Sequence, residues 1–199
     1  SLLSMEYFKT KGIKFIIQKM EFVPLLREKL FAQAEDECEK GDYESCYFSG
    51  KYYDELKNYK KAFKLYDKSC AGGNMFGCNG IGGLYNVGNG VSKHEKKAQE
   101  FFKRACGSNN LMGCINLGLI YHNLKEYRTA HEIFSKTCNI NDLWCYFLGF
   151  YYYEGIYVEQ DYTKASELFK KSCDNGETRG CNDLGLMYED GLGVVQNYK

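Results

Sequence analysis

The chain has 199 residues, and 26 Lys plus Arg stand against 26 Asp plus Glu, so its formal charge at neutral pH is zero. That balance gives no support to nucleic-acid binding, which needs clustered positive charge to displace counterions. A single proline and 44% hydrophobic residues argue for ordered, mostly helical structure, and no stretch approaches the roughly 20 apolar residues that span a bilayer.

Taken in chain order, the first apolar cluster is "FIIQ" after Lys14, which is shorter than the about 7–15-residue core of a signal peptide. The chain begins with Ser1, so an export signal removed beforehand leaves no mark on it. Residues 1–37 are expected to form an N-terminal helical cap. Residues 2–20 would be its irregular part, and "FVPLLREKLFAQAEDEC" from Phe22 reads as a helix leading to Cys38. Pro24 is tolerable in a first turn.

From Cys38 the sequence repeats. Five phrases follow one another, "CEKGDYESCYFSGKYY", "CAGGNMFGCNGIGGLY", "CGSNNLMGCINLGLIY", "CNINDLWCYFLGFYY" and "CDNGETRGCNDLGLMY", and they use all ten cysteines. The second cysteines, at 46, 78, 114, 145 and 181, are separated by 32, 36, 31 and 36 residues, a period that marks a repeat architecture. Each starts the motif C-x3-G-x2-Y, with Gly50, Gly82, Gly118, Gly149 and Gly185 and then Tyr53, Tyr85, Tyr121, Tyr152 and Tyr188. Offsets of zero, four and seven share one helical face; this is helix A of each unit.

Upstream of the first cysteine lies helix B. Alanine recurs eight residues before it (Ala62, Ala98, Ala130, Ala165) and an aromatic four before it (Tyr66, Phe102, Phe134, Phe169). Asp161 is an expected N-cap. Glycine inside a helix costs about 0.5–1 kcal/mol against alanine, so five in register need compensation. The expected one is that glycine on helix A and alanine on helix B let the two backbones approach closely and bury the Tyr and Phe rings between them. Stacked helix pairs of this kind give an all-α fold, an α/α superhelical solenoid, of about four and a half disulfide-bridged repeats over residues 38–199.

Structural zinc favours C-x2-4-C spacing with four ligands per metal. Here the spacing is seven or six, and His94, His122 and His131 are too few and too scattered; no metal and no cofactor are expected. A redox site needs one tuned pair of thiols rather than five equivalent ones. Disulfides fit: a cysteine ends helix B, and its partner enters the first turns of the next helix A, near the roughly 5.5–6 Å backbone separation a bridge needs. The pairs are Cys38–Cys46, Cys70–Cys78, Cys106–Cys114, Cys138–Cys145 and Cys173–Cys181. They imply an oxidising compartment, either secreted or periplasmic.

"DYTKASELFKKSC", followed by "GCNDLGLMYEDGLGV", resembles the Sel1-like repeat, a relative of the tetratricopeptide repeat, as do "EKKAQEFFKRAC" and "YRTAHEIFSKTC". The added cysteine pair is similar to that of the Helicobacter cysteine-rich proteins, which implies secretion and one disulfide per helix pair. The likeness covers about residues 38–199. It departs in three places: the shorter Cys138–Cys145 spacing, the short loops after the Cys46 and Cys114 helices, and residues 1–34, where Leu30 and Ala34 replace the alanine and aromatic. "VVQNYK" at the end matches the start of a helix B, so the final unit is expected to be half a repeat of a longer protein.

By analogy with tetratricopeptide repeats, the ligand surface is a concave face formed by helix A at offsets one, five and eight. The candidates are Tyr47, Lys51, Asp54, Asn79, Asn86, His122, Tyr146, Phe150, Tyr153, Asn182 and Glu189, with Ile115, Leu119 and Leu186 on the same register. Amides, aromatics and a few charges suit a peptide, a protein or a peptidoglycan-like cell-wall fragment. In "YFLGFYYYEGIY" the register buries Tyr152 and leaves Tyr151 and Tyr153 less explained. The resemblance also implies a second function, penicillin binding with weak β-lactamase activity. The residues do not support it: S-x-x-K, S-D-N and K-T-G are absent, as is H-E-x-x-H, and His131 in "HEIF" reads as solvent-facing.

Overall fold

The computed structural model describes residues 24–194, and among these only helices, turns and loops occur. The expectations for residues 1–23 and for "VQNYK" at 195–199 lie outside the described residues. The chain divides into two compact units, residues 1–98 and 99–199.

The first unit contains α1 (Pro24–Glu39), α2 (Tyr43–Glu55), α3 (Tyr59–Ala71) and α4 (Met75–Val87). Side-chain oxygens of Asp42, Asn58 and Asn74 accept from otherwise unbonded first-turn amides of α2, α3 and α4, which is why each helix starts where it does. The division falls within helix α5 (Glu95–Gly107). The second unit continues with α6 (Leu111–Asn123), α7 (Tyr127–Ile140), a 3-10 turn at Asp142–Trp144, α8 (Cys145–Glu154), α9 (Tyr162–Asp174) and α10 (Thr178–Asp190). Asp161 caps α9 as expected, its Oδ1 2.9 Å from Lys164 N.

All five disulfides form as paired. Their Cα–Cα distances, 4.3–4.7 Å, are shorter than anticipated because both cysteines lie in helical turns drawn together by a tight connection. The shortened pair is accommodated by the 3-10 turn, so that α8 starts at Cys145 itself while the other A helices start three residues before their cysteine.

The aromatic rings of helix B are buried between the helices, as expected, and it is these rings that the helix-A glycines meet. A Cβ on Gly50 would lie 2.7 Å from the Tyr66 ring, on Gly118 2.5 Å from Phe134, and on Gly149 2.8 Å from Phe169. The alanines are fully buried all the same, which keeps that side of helix B flat. At Gly185 nothing among the described residues lies within 4 Å.

The register also buries a position that the motif does not contain. Six residues after the cysteine, Leu84, Ile120, Tyr151 and Met187 are all buried. Tyr151, at 1% exposure, is therefore the buried ring of its run, and Tyr152 is only half-buried; the expectation for this pair was inverted. His131 is not solvent-facing either. It lies among the rings of Tyr151, Tyr152 and Tyr157 at centroid distances of 6.0, 6.1 and 5.5 Å.

Candidate functional site: the helix-A aromatic face

In the first unit, Tyr47 of α2 stands over Tyr66 of α3, with ring centroids 6.0 Å apart, and 5.4 Å from Phe76 of α4. Tyr66 is held between Gly50 and Gly80, since a Cβ on either would strike its ring. Its hydroxyl donates to Asp54 Oδ2 at 3.3 Å. Burial raises the pKa of all three groups, Tyr47, Asp54 and Tyr66; for Asp54 the hydrogen bond from Tyr66 opposes that effect. Lys51 and Asn86 are exposed, and Asn79 is half-buried.

The second unit repeats the arrangement with different chemistry. Tyr146 of α8 lies 5.6 Å from Phe169 of α9. The place of Phe76, two residues before the cysteine of the next helix A, is taken by Arg179 of α10. Its guanidinium carbon stands 4.6 Å from the Tyr146 centroid and 4.9 Å from that of Phe147. Glu177 fixes the plane through two contacts, 2.8 Å to Nε and 3.1 Å to Nη2, and the hydrogen bonds from Arg179 hold the Glu177 carboxyl below its usual range. Burial raises the Tyr146 phenol, with Asp183 adding to the effect.

Further along α8, Tyr153 meets Tyr162 edge-on at 5.4 Å and Phe169 at 6.2 Å. Phe150 packs on the cluster of Ala165, Phe169 and Met187. Asn182 and Glu189 are exposed on α10, beside Leu186.

The structure thus brings together Tyr47 with Asp54, and Tyr146 with Phe150 and Tyr153. His122 is committed elsewhere: its Nδ1 lies 3.1 Å from the hydroxyl of buried Tyr151, whose pKa burial pushes up to about 12. Ile115 is a core residue at 2% exposure. Sequence reading missed Phe76, Arg179 and Asp183. The usable signal was the place two residues before the helix-A cysteine, filled by a large side chain in both units. An open groove of about 770 Å³ lies instead along the α8–α9 loop, lined by Tyr152, Asp161, Tyr162 and Gly193 among others. It shares none of the candidate residues.

Comparison with known proteins agrees with the helix-pair fold. The Sel1 repeat model matches residues 41–74, 76–110, 145–177 and 178–199, more than half of the chain. The chain belongs to the Sel1 repeat family. Residues 111–144, between these matches, carry the same helix pair, with Gly118 against Phe134. Curated relatives include HcpC of Helicobacter pylori strain J99, 49% identical over 43 residues, and HcpE of strain 26695, 44% identical over 41 residues. Both names contain the words beta-lactamase. The matches cover 22% and 21% of this chain but only 15% and 12% of those proteins.

Among solved structures, c5321 is described as a protective antigen present in uropathogenic Escherichia coli strains displaying an SLR fold. It matches with a TM-score of 0.74 and 26% identity over 86% of this chain and 39% of its own. A Sel1 repeat protein from Oxalobacter formigenes matches with a TM-score of 0.70 and 22% identity over 78% of this chain and 67% of its own. The fold is that of the Sel1 repeat solenoids, with a disulfide added to each helix pair.

Proposed function

We propose that this chain is part of a secreted or periplasmic interaction scaffold, which holds a peptide or protein segment against its helix-A faces. The observation that supports it most is the stripe of Tyr146, Phe150 and Tyr153, set on α8 at offsets one, five and eight and only partly covered by α9 and α10. Partly exposed aromatic rings on rigid helices offer contact area at little entropic cost. The disulfides keep the helices that carry them in register and favour an oxidising compartment. A cell-wall-derived ligand would use the same rings together with the exposed amides.

The test is an array of random peptides probed with the oxidised chain, beside a Tyr146→Ala/Tyr153→Ala variant. Binding that the double variant loses, with its melting midpoint retained, supports the reading. Array binding indifferent to both changes, or none at all, refutes it.

The names of the relatives favour β-lactam hydrolysis as the second reading. Several buried serines are engaged with backbone carbonyls: Ser69 donates to Tyr43 O, Ser166 to Thr163 O and Ser172 to Phe169 O. Turnover of a chromogenic cephalosporin that falls when Asn79, Tyr146 and Asn182 are changed to alanine would favour the hydrolase. Turnover at background, or turnover unmoved by those changes, would leave the scaffold.

A further inference from the structure

Two of the chain's three histidines, His122 and His131, converge on one buried tyrosine. Tyr151 of α8 is 1% exposed, and its hydroxyl lies 3.1 Å from His122 Nδ1 of α6. Burial pushes its pKa up to about 12, so the hydroxyl keeps its proton and needs an acceptor. That need assigns the acceptor role to Nδ1, and the ring proton of neutral His122 to Nε2. Tyr127, at the start of α7, meets the same imidazole edge-on at 5.4 Å.

His131 of α7 packs against the Tyr151 ring at 6.0 Å, and meets Tyr152 and Tyr157 at 6.1 and 5.5 Å. Its Nε2 is buried and has no hydrogen-bond partner among the described residues. Burial first, and then Lys164 of α9, lower its pKa, while Glu132 of its own helix opposes them. Lys164 is fixed there because its Nζ stands 4.2 Å from the Tyr152 centroid, the clasp that Lys61 makes on Tyr53 at 4.0 Å. A proton on His131 therefore puts a second cation near Lys164, inside a cage of rings.

Tyr157 is the strained member of that cage. It is 54% exposed, and its φ is 67°. Glycines hold the corresponding place after α4 and α10, Gly90 and Gly193, with φ of 69° and 66°. A tyrosine in this left-handed region is disfavoured and persists only where contacts hold it. The contact here is the His131 ring.

We infer that the cluster of His122, Tyr151 and His131 is an acid-operated switch, which holds α8 and the α8–α9 loop at neutral pH and releases them when the two histidines take up protons. This rests on the proposed role of α8 as an interaction surface, and it adds the regulation of that surface. A charged His122 makes Nδ1 a donor and leaves the Tyr151 hydroxyl proton buried without an acceptor. A charged His131 leaves the rings for water, and Tyr157 loses the contact that holds it. Tyr146, Phe150 and Tyr153 share the ten-residue helix of Tyr151, so the aromatic stripe loosens with it. A segment held on the stripe is then released in acid.

The test reads amide protection of the oxidised chain, without ligand, at pH 7 and pH 5, each corrected for intrinsic exchange. Protection in α8 and residues 155–160 is expected to fall about tenfold in acid, while that of α2, α3 and α4 changes little. His122→Gln/His131→Gln keeps polar side chains that do not titrate, and should hold protection level between the two conditions. An NMR titration of the imidazoles in the unaltered chain guards against a folding defect in that variant, because the His131 midpoint should coincide with the loss of protection. Equal protection at both pH values, a loss as large in the double variant, a loss spread evenly over both units, or midpoints that do not coincide overturn the inference. Array-peptide binding at the same two pH values separates it from the proposed function. A chain that opens as described and binds no array peptide keeps the switch and refutes the scaffold, whereas peptide binding unchanged in acid keeps the scaffold and overturns the switch.

Discussion

Gly149 and Gly185 hold the same place in their repeats and face different surroundings. A Cβ on Gly149 would lie 2.8 Å from Phe169 and 3.2 Å from Leu168, whereas at Gly185 it would meet nothing among the described residues. Gly149→Ala should therefore destabilise by about 1–3 kcal/mol through overpacking. Gly185→Ala should stabilise by about 0.5–1 kcal/mol, by removing backbone freedom from the unfolded chain. Thermal melts decide the matter, because shifts of the same sign in both variants would contradict the ring-contact account.

His131 supplies a pH-dependent counterpart. Burial among tyrosine rings, and then Lys164, lower its pKa in the folded protein. The unfolded chain takes up a proton first as pH falls. Stability from this residue is therefore complete above the unfolded value of about 6.5 and declines as pH drops below it. His131→Leu should flatten the fall in melting midpoint between pH 7 and pH 5; an unchanged slope would assign that fall to other groups.

At the scale of elements, the helix pair was legible because its markers do not vary in type. Cysteine, glycine, tyrosine and alanine recur at fixed offsets, and each does one physical job. What stayed hidden varies in type or acts across helices. The deeply buried offset-six position is filled by Leu84, Ile120, Tyr151 and Met187 in turn, so no motif exposes it. The lysine clasps on Tyr53 and Tyr152 join residues of adjacent helices, and a side chain's direction across a helix pair is not contained in its spacing. Of the candidate site, the α8 stripe could be read from offsets, whereas Arg179 over Tyr146 stands two residues before the cysteine, a place whose residue type changes from repeat to repeat.

The bridges belong to this scale as well. Each closes a loop of about nine residues, worth roughly 2.6 kcal/mol by chain entropy. Replacing Cys138 and Cys145 by serine should lower stability by about that amount and leave the other four bridges intact, as thiol counting by mass would record. A loss near zero would mean that the 3-10 turn alone sets the start of α8.

For the whole molecule, membership of the Sel1 family and the five disulfides describe a scaffold of stapled helix pairs. Its proposed work is done by the half-exposed aromatic face that these pairs present. The matched stretches cover less than a sixth of the length of either curated relative, so their activity does not transfer to this chain as a unit. The face of α8 and α10 is the part whose chemistry this chain carries itself. The most direct measurement is amide hydrogen exchange of the oxidised chain with and without a peptide selected from the array. The account predicts new protection concentrated in α8 and α10, abolished by Tyr146→Ala/Tyr153→Ala. Protection confined to the α8–α9 loop groove, or to helices away from these rings, would contradict it.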